Sequence, residues 1–303
     1  MLLPLSALPV QSMAADRNAA RNLGNASGTG GFPAVAQADP SLPTHTIYRP
    51  VTLPKKPMPL VIWGNGACRD NGLQHAMFLR QIASRGYLVI SLGHPREERG
   101  ISPNLPAPVA GSPPPPPAAD ETNVGQMDEA IVWATAQNAK KGGALAGHVD
   151  LNHVAVMGHS CGGLQSITMS ADPRIKTSII FNSGVYNKPS PTNRSRIAVG
   201  KDALDRLHGP IAYFHGGPTD IAQPNADDDV SRITKVPVFL GVLPVGHEGT
   251  FWKDENGGAY GEVAGYWLDW QLKGDKAAGR WFSGKDCKLC VNPQWRVVRH
   301  NMD

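Results

Sequence analysis

The sequence predicts an α/β domain in which a mainly parallel central sheet is flanked by helices on both faces. Three observations predict it. Short runs of β-branched and apolar residues alternate with helical stretches through the middle of the 303-residue chain, an apolar share of 41% suffices for a large core, and no internal repeat breaks the alternation. Sheets of this class reach such lengths as one unit.

Taken in order, Leu60–Trp63 reads as a buried strand that ends in Gly64-Asn65-Gly66. A helix is expected from about Leu73 to Arg85, with Met77, Leu79, Ile82 and Ala83 in an approximately helical apolar pattern. Tyr87–Ser91 is the next strand. The stretch 94–119 holds Arg96-Glu97-Glu98-Arg99 and a run of prolines from Pro113 to Pro117, which predicts an exposed, stiff loop. Helix returns over Glu121–Lys140, with Val124, Met127, Ile131 and Ala134 on one face. His153–Gly158 is a strand, and the turn after it enters a helix that runs through Ser170. Lys176–Phe181, Pro210–Phe214 and Val236–Val242 are three further buried strands, and Tyr260–Leu272 is a closing helix that carries Trp267 and Trp270.

Composition excludes several functions. A net charge of +4 is too small and too scattered for a nucleic-acid footprint. No apolar run approaches the ~18 residues of a membrane span. With 33 glycines and 27 prolines the chain must carry many turns. Its opening, Met1–Val10, is apolar, and Ser12-Met13-Ala14 offers small residues for cleavage, although the first positive charge is Arg17. This resembles the back half of a secretory signal, and a secreted or periplasmic location is expected. Residues 18–37, rich in Asn, Ala, Gly and Ser, read as a linker.

The four cysteines are Cys68, Cys161, Cys287 and Cys290, an even number compatible with two bridges. Cys287 and Cys290 form a CxxC that predicts a local disulfide. Half of a zinc site is the alternative, with no second CxxC or HxxxH to complete it. No metal and no cofactor are expected.

Gly158-His159-Ser160-Cys161-Gly162 fits G-x-S-x-G. The motif is weak alone, but it lies between a predicted strand and a predicted helix, where a nucleophile elbow has to be. A Cβ at Gly158 or Gly162 would crowd the neighbouring elements, and the turn pushes the Ser160 hydroxyl into the open. The helix behind it presents its positive end and the Cys161 amide. A capping serine in a tight turn is the bland alternative.

With these residues the chain resembles the α/β-hydrolase family over roughly 45–273, its nearest flavour being dienelactone-hydrolase-like, chlorophyllase-like and polyester-hydrolase-like serine esterases. The resemblance implies an α/β-hydrolase fold, here without a large cap domain because 184–209 is too short for one. It also implies the order Ser, acid, His, with the acid at the exit of the second strand after the elbow. Asp220 stands there, and Asp227, Asp228 and Asp229 read as a solvated cluster or helix start. Glycine-flanked His247 is the implied base, with His215 the second choice and His159 expected to point away from Ser160. The oxyanion amides implied are those of Cys161 and of the turn after Trp63, with Asn65 first and Gly66 next. Cys161 directly after the nucleophile departs from the common pattern. With Cys68 in the facing turn it suggests a disulfide clamping the two halves of the oxyanion hole, two free buried thiols being the alternative. The proline loop and the Trp252 region are candidate borders of the cleft.

The expected organisation is a signal-like segment and linker over 1–37, a catalytic domain over 38–280 and a tail with the CxxC over 281–303. The expected activity is hydrolysis of small-molecule or polymeric esters through an acyl-enzyme. A peptidase or amidase with the same residues, or a silent binding protein on this scaffold, are the rivals. A nucleotide-binding reading fails, because Gly64–Arg69 lacks a third glycine and no P-loop occurs.

Overall fold

The computed structural model describes residues 19–101, 121–188 and 197–302. The expected signal segment and the proline run therefore lie outside the described residues. In chain order the elements are β1 (Arg21–Ser27), β2 (Ala34–Ala38), β3 (His45–Pro50), β4 (Met58–Gly64), α1 (Ala76–Ser84), β5 (Leu88–Leu92), α2 (Gly125–Ala139), β6 (Val149–His159), α3 (Cys161–Met169), β7 (Ile175–Phe181), β8 (Ile211–His215), α4 (Gln223–Arg232), β9 (Val238–Val242), α5 (Gly258–Lys273), α6 (Lys276–Gly279) and β10 (Arg296–His300).

Among the described residues the ten strands form one sheet in the order β1-β2-β3-β5-β4-β6-β7-β8-β9-β10. The six strands from β5 to β9 are parallel, and β1–β3 on one side and β10 on the other are antiparallel. The apolar runs are continuous because both faces of the parallel strands are covered. Along β4, Val61 and Trp63 pack with α1 and α5, while Leu60 and Ile62 pack with α2. Ile180, Tyr213 and Leu240 pack with Ala226 and Val230 of α4. Side chains two apart thus share a layer, as the pleat requires.

Two expected boundaries are corrected. Part of the stretch read as a linker is sheet: β1 pairs with β2, and β2 with β3. The expected tail is also part of the domain, since β10 pairs with β9 from Arg296↔Val242 to His300↔Val238. Phe282, Cys287, Leu289 and Trp295 join the core on the α1–α5 face. Among the described residues no helix is long and apolar enough to cross a membrane.

Parallel strands place their C-terminal ends on one edge. The loops that leave β4, β6, β7, β8 and β9 therefore meet there, and they carry Asn65, Ser160, Asn182, Asp220 and His247 respectively.

Candidate active site

Ser160 joins β6 to α3 with φ 52° and ψ −116°. This positive φ is strained for a residue with a side chain. Packing enforces it. A Cβ on Gly158 would overlap the Gly162 carbonyl, and one on Gly162 would overlap the carbonyl of Gly64. Only glycine lets the strand, the turn and the helix approach so closely. The Ser160 N–H donates to the Phe181 carbonyl at 2.9 Å, and the Gly163 N–H donates to the Ser160 carbonyl at 2.9 Å.

Two hydrogen bonds lead away from the hydroxyl. Ser160 Oγ lies 3.0 Å from His247 Nε2, and His247 Nδ1 lies 2.7 Å from Asp220 Oδ1. A carboxylate accepts, so Nδ1 carries the proton and Nε2 faces Ser160 as an acceptor. Asp220 is 2% exposed. Its Oδ1 also accepts from the Ala222 N–H at 2.9 Å, and its Oδ2 from the Gly216 N–H at 2.9 Å and Asn182 Nδ2 at 2.7 Å. Burial opposes ionisation of this carboxyl, but the His247 bond and charge and the two backbone amides outweigh burial and hold its pKa well below the usual range.

The other histidines have other partners. His159 points away from Ser160, and its Nε2 donates to the His247 carbonyl at 2.9 Å. Burial, followed by the neighbouring His247, lowers its pKa and keeps it neutral at pH 7. His215 accepts from the Gly217 N–H at 3.2 Å through Nδ1 and contacts Asp227 Oδ1 at 3.2 Å through Nε2. The three aspartates belong to α4, where Asp228 pairs with Lys201 and Arg232. Asp229 corrects the solvated reading. It is fully buried, accepting from the Val185 N–H at 2.8 Å and from Lys201 Nζ at 2.6 Å.

A pocket for a developing oxyanion requires amides with no other acceptor. Cys161 is the first residue of α3, and Gly66 the first of a 3₁₀ turn over Gly66–Cys68, so neither N–H has an acceptor within its own helix. Asn65 serves as scaffold to this turn. Its peptide oxygen accepts from Gly162 at 3.0 Å and Cys68 at 3.1 Å. Its side-chain Nδ2 lies 2.7 Å from the Leu92 carbonyl, and Oδ1 accepts from Trp63 Nε1 at 2.9 Å. Cys68 and Cys161 are disulfide-bonded across a Cα separation of 5.2 Å, and Cys287 and Cys290 across 5.0 Å. The bridge thus joins the first residue after Ser160 to the turn that holds Gly66.

Trp252 is core, 1% exposed, with Arg99 stacked 3.9 Å from its ring centroid. Among the described residues no group of three or more His, Cys, Asp or Glu is arranged to hold a metal ion. A cavity of about 680 Å³ beside β3 and β5 is lined by Ala20, Ala38, His45 and His94, among others, and includes none of the residues assembled around Ser160. Asn182 escaped the sequence reading. An asparagine at a strand exit is an ordinary loop residue by sequence, and only the fold shows what its amide reaches. No protein-family model matches the chain, and no curated protein is significantly similar to it.

Proposed function

We propose that the chain is a serine hydrolase of carboxylic esters with an α/β-hydrolase fold. The observation that carries this reading is the unbroken pair of hydrogen bonds from Ser160 Oγ through His247 to buried Asp220. The turn that holds Ser160 is of the nucleophile-elbow type, strained and flanked by obligatory glycines.

In the proposed reaction His247 Nε2 takes the Ser160 proton as the oxygen attacks the ester carbonyl carbon. Asp220 fixes the Nδ1–H tautomer and stabilises the imidazolium. The amide of Cys161 and an amide of the Asn65–Gly66 turn receive the negative oxygen. The tetrahedral intermediate then collapses, the alcohol leaves with the proton from His247, and water repeats the sequence on the acyl-enzyme. General-base help contributes on the order of 10²–10⁴ in rate, and one oxyanion donor on the order of 10²–10³. All four cysteines are paired, which fits an oxidising compartment and an exported protein.

The test is hydrolysis of p-nitrophenyl esters from C2 to C12, beside a p-nitroanilide, by the wild type and Ser160→Ala. Ester turnover that vanishes in Ser160→Ala, with anilide turnover far slower, is the expected result. Equal ester turnover by both proteins would refute the reading, and the chain-length optimum would size the acyl site.

A further inference from the structure

Two unfavourable features meet in one residue at the exit of β7. Asn182 is fully buried with φ 45°, in the left-handed region. Its Oδ1 has no hydrogen-bond partner, a rarity for a buried polar atom. Turning the amide over would not help, because the oxygen would then face a carboxylate and a carbonyl.

What those features accompany is on the nitrogen side. Asn182 Nδ2 lies 2.7 Å from Asp220 Oδ2 and 3.1 Å from the carbonyl of Gly246, the residue before His247. The Tyr260 hydroxyl is a longer contact at 3.4 Å. A primary amide has two N–H donors, so one reaches the loop of the acid and the other the loop of the base. The neighbours of Asn182 hold the third loop. The Phe181 carbonyl accepts from the Ser160 N–H at 2.9 Å, and Ser183 Oγ donates to the Ser160 carbonyl at 2.6 Å. Three consecutive residues of one strand exit therefore touch the loops of Ser160, Asp220 and His247. Strain and an unsatisfied group persist where the surroundings over-determine them, and they concentrate at functional sites.

We propose that Asn182 is a positioning residue that ties the Asp220 loop to the His247 loop and fixes the rotation of the Asp220 carboxylate. The inference rests on the esterase reading above. Asp220 Oδ1 is engaged by His247 and Ala222, and Oδ2 by Gly216 and Asn182. Without Asn182 the second oxygen keeps Gly216, and the two loops keep the Gly246 N–H to Gly216 carbonyl bond at 2.9 Å. The carboxylate would then lose one of its four donors and its tie to the base loop, so its rotation, and with it the direction of the imidazole toward Ser160, would be held less tightly. Asn182 itself does not contact Ser160 Oγ and takes no proton.

The experiment measures kcat and KM on a short p-nitrophenyl ester between pH 5 and 8 for wild type, Ser160→Ala, Asn182→Ala and Asn182→Asp, with circular dichroism to verify folding. Asn182→Ala is expected to lower kcat on the order of 10–100-fold, as a misdirected catalytic group does, with KM within about twofold. Asn182→Asp sets a second carboxyl against Asp220, and like charges sharing a site raise one pKa. The titratable groups that position 182 meets are Asp220 and Tyr260, with His247 hydrogen-bonded to Asp220 and His159 beyond it. Dividing by the wild-type kcat at each pH cancels what the two proteins share. The variant then works while the carboxyl pair holds a proton, so the ratio falls on the order of 10-fold as pH rises. A residue that filled space without meeting the Asp220 carboxylate would give a ratio independent of pH. A folded Asn182→Ala with wild-type kcat, or a flat Asn182→Asp ratio, would overturn the proposal. Should Asn182→Ala not fold, the near-isosteric Asn182→Asp still decides through its pH dependence. Lack of Ser160-dependent turnover in the wild type would overturn the esterase reading, and with it this role, without any change at position 182.

Discussion

Ser160 keeps its positive φ because the glycines around it leave no other course for the chain. The contact at Gly162 is backbone against backbone, so no side-chain rotation can relieve an added methyl. Gly162→Ala is therefore expected to destabilise the fold by at least ~3 kcal/mol, the upper end of ordinary overpacking costs, and to abolish ester turnover in whatever folds. Urea denaturation beside the activity assay checks this. A stable, active Gly162→Ala would mean that the elbow is looser than the distances imply. The same residue-scale logic explains what was legible in sequence. Gly158, Ser160 and Gly162 carry their constraint in their own identities. Asn182 does not, because its importance comes from Asp220 and Gly246, which lie 38 and 64 positions away.

At the scale of elements, the two disulfides differ in what they constrain. Cys68–Cys161 closes 93 residues and joins the β4 exit to the start of α3, whereas Cys287–Cys290 spans three. On loop-closure entropy the first contributes on the order of 4–5 kcal/mol and the second about 2 kcal/mol. Replacing Cys68 and Cys161 by alanine is expected to lower both the unfolding free energy and kcat, while the Cys287/Cys290 pair of substitutions leaves kcat near wild type. Denaturant melts and ester kinetics on both double variants check the contrast, and equal effects on kcat would refute the link between the first bridge and the turn proposed to receive the oxyanion. The strands that the sequence revealed, β4 to β9, are apolar on both faces because helices cover both. The four that it concealed lie toward the margins of the sheet. β1 is mostly exposed and reads Arg-Asn-Leu-Gly-Asn-Ala-Ser, with no alternation to betray it. β10, Arg-Val-Val-Arg-His, is short and partly exposed, and its strand character comes from pairing with β9. In both, tertiary partners outweigh weak local propensity.

For the molecule as a whole, buried titratable groups set how stability depends on pH. Burial lowers the pKa of both His75 and His159, so they are neutral in the folded protein. The stability they lend is present above their unfolded pKa of about 6.5 and is lost as pH falls below it. Asp229 acts in the opposite direction. Burial raises its pKa to about 6, so its contribution weakens folding as pH rises from about 4 to 6. Asp220, with its lowered pKa, matters only below about pH 4. His45 and His215 are also buried with lowered pKa values, so four histidines outweigh one carboxyl, and the melting temperature is expected to fall between pH 7 and pH 5. Asp229→Asn removes the opposing contribution and should make that fall steeper. Calorimetry at half-unit steps checks both, and a melting temperature that rises on acidification would contradict the assignment.

On the proposed function, the hydrogen bonds from Ser160 through His247 to Asp220 make that hydroxyl a nucleophile. The most direct test is covalent: treat the wild type, Ser160→Ala and His247→Ala with a fluorophosphonate, then map the adduct by mass spectrometry. A single adduct on the Ser160 peptide is expected in the wild type, none in Ser160→Ala, and labelling slowed by about 10²-fold or more in His247→Ala. No adduct on Ser160, or labelling equally fast without His247, would contradict the proposed function.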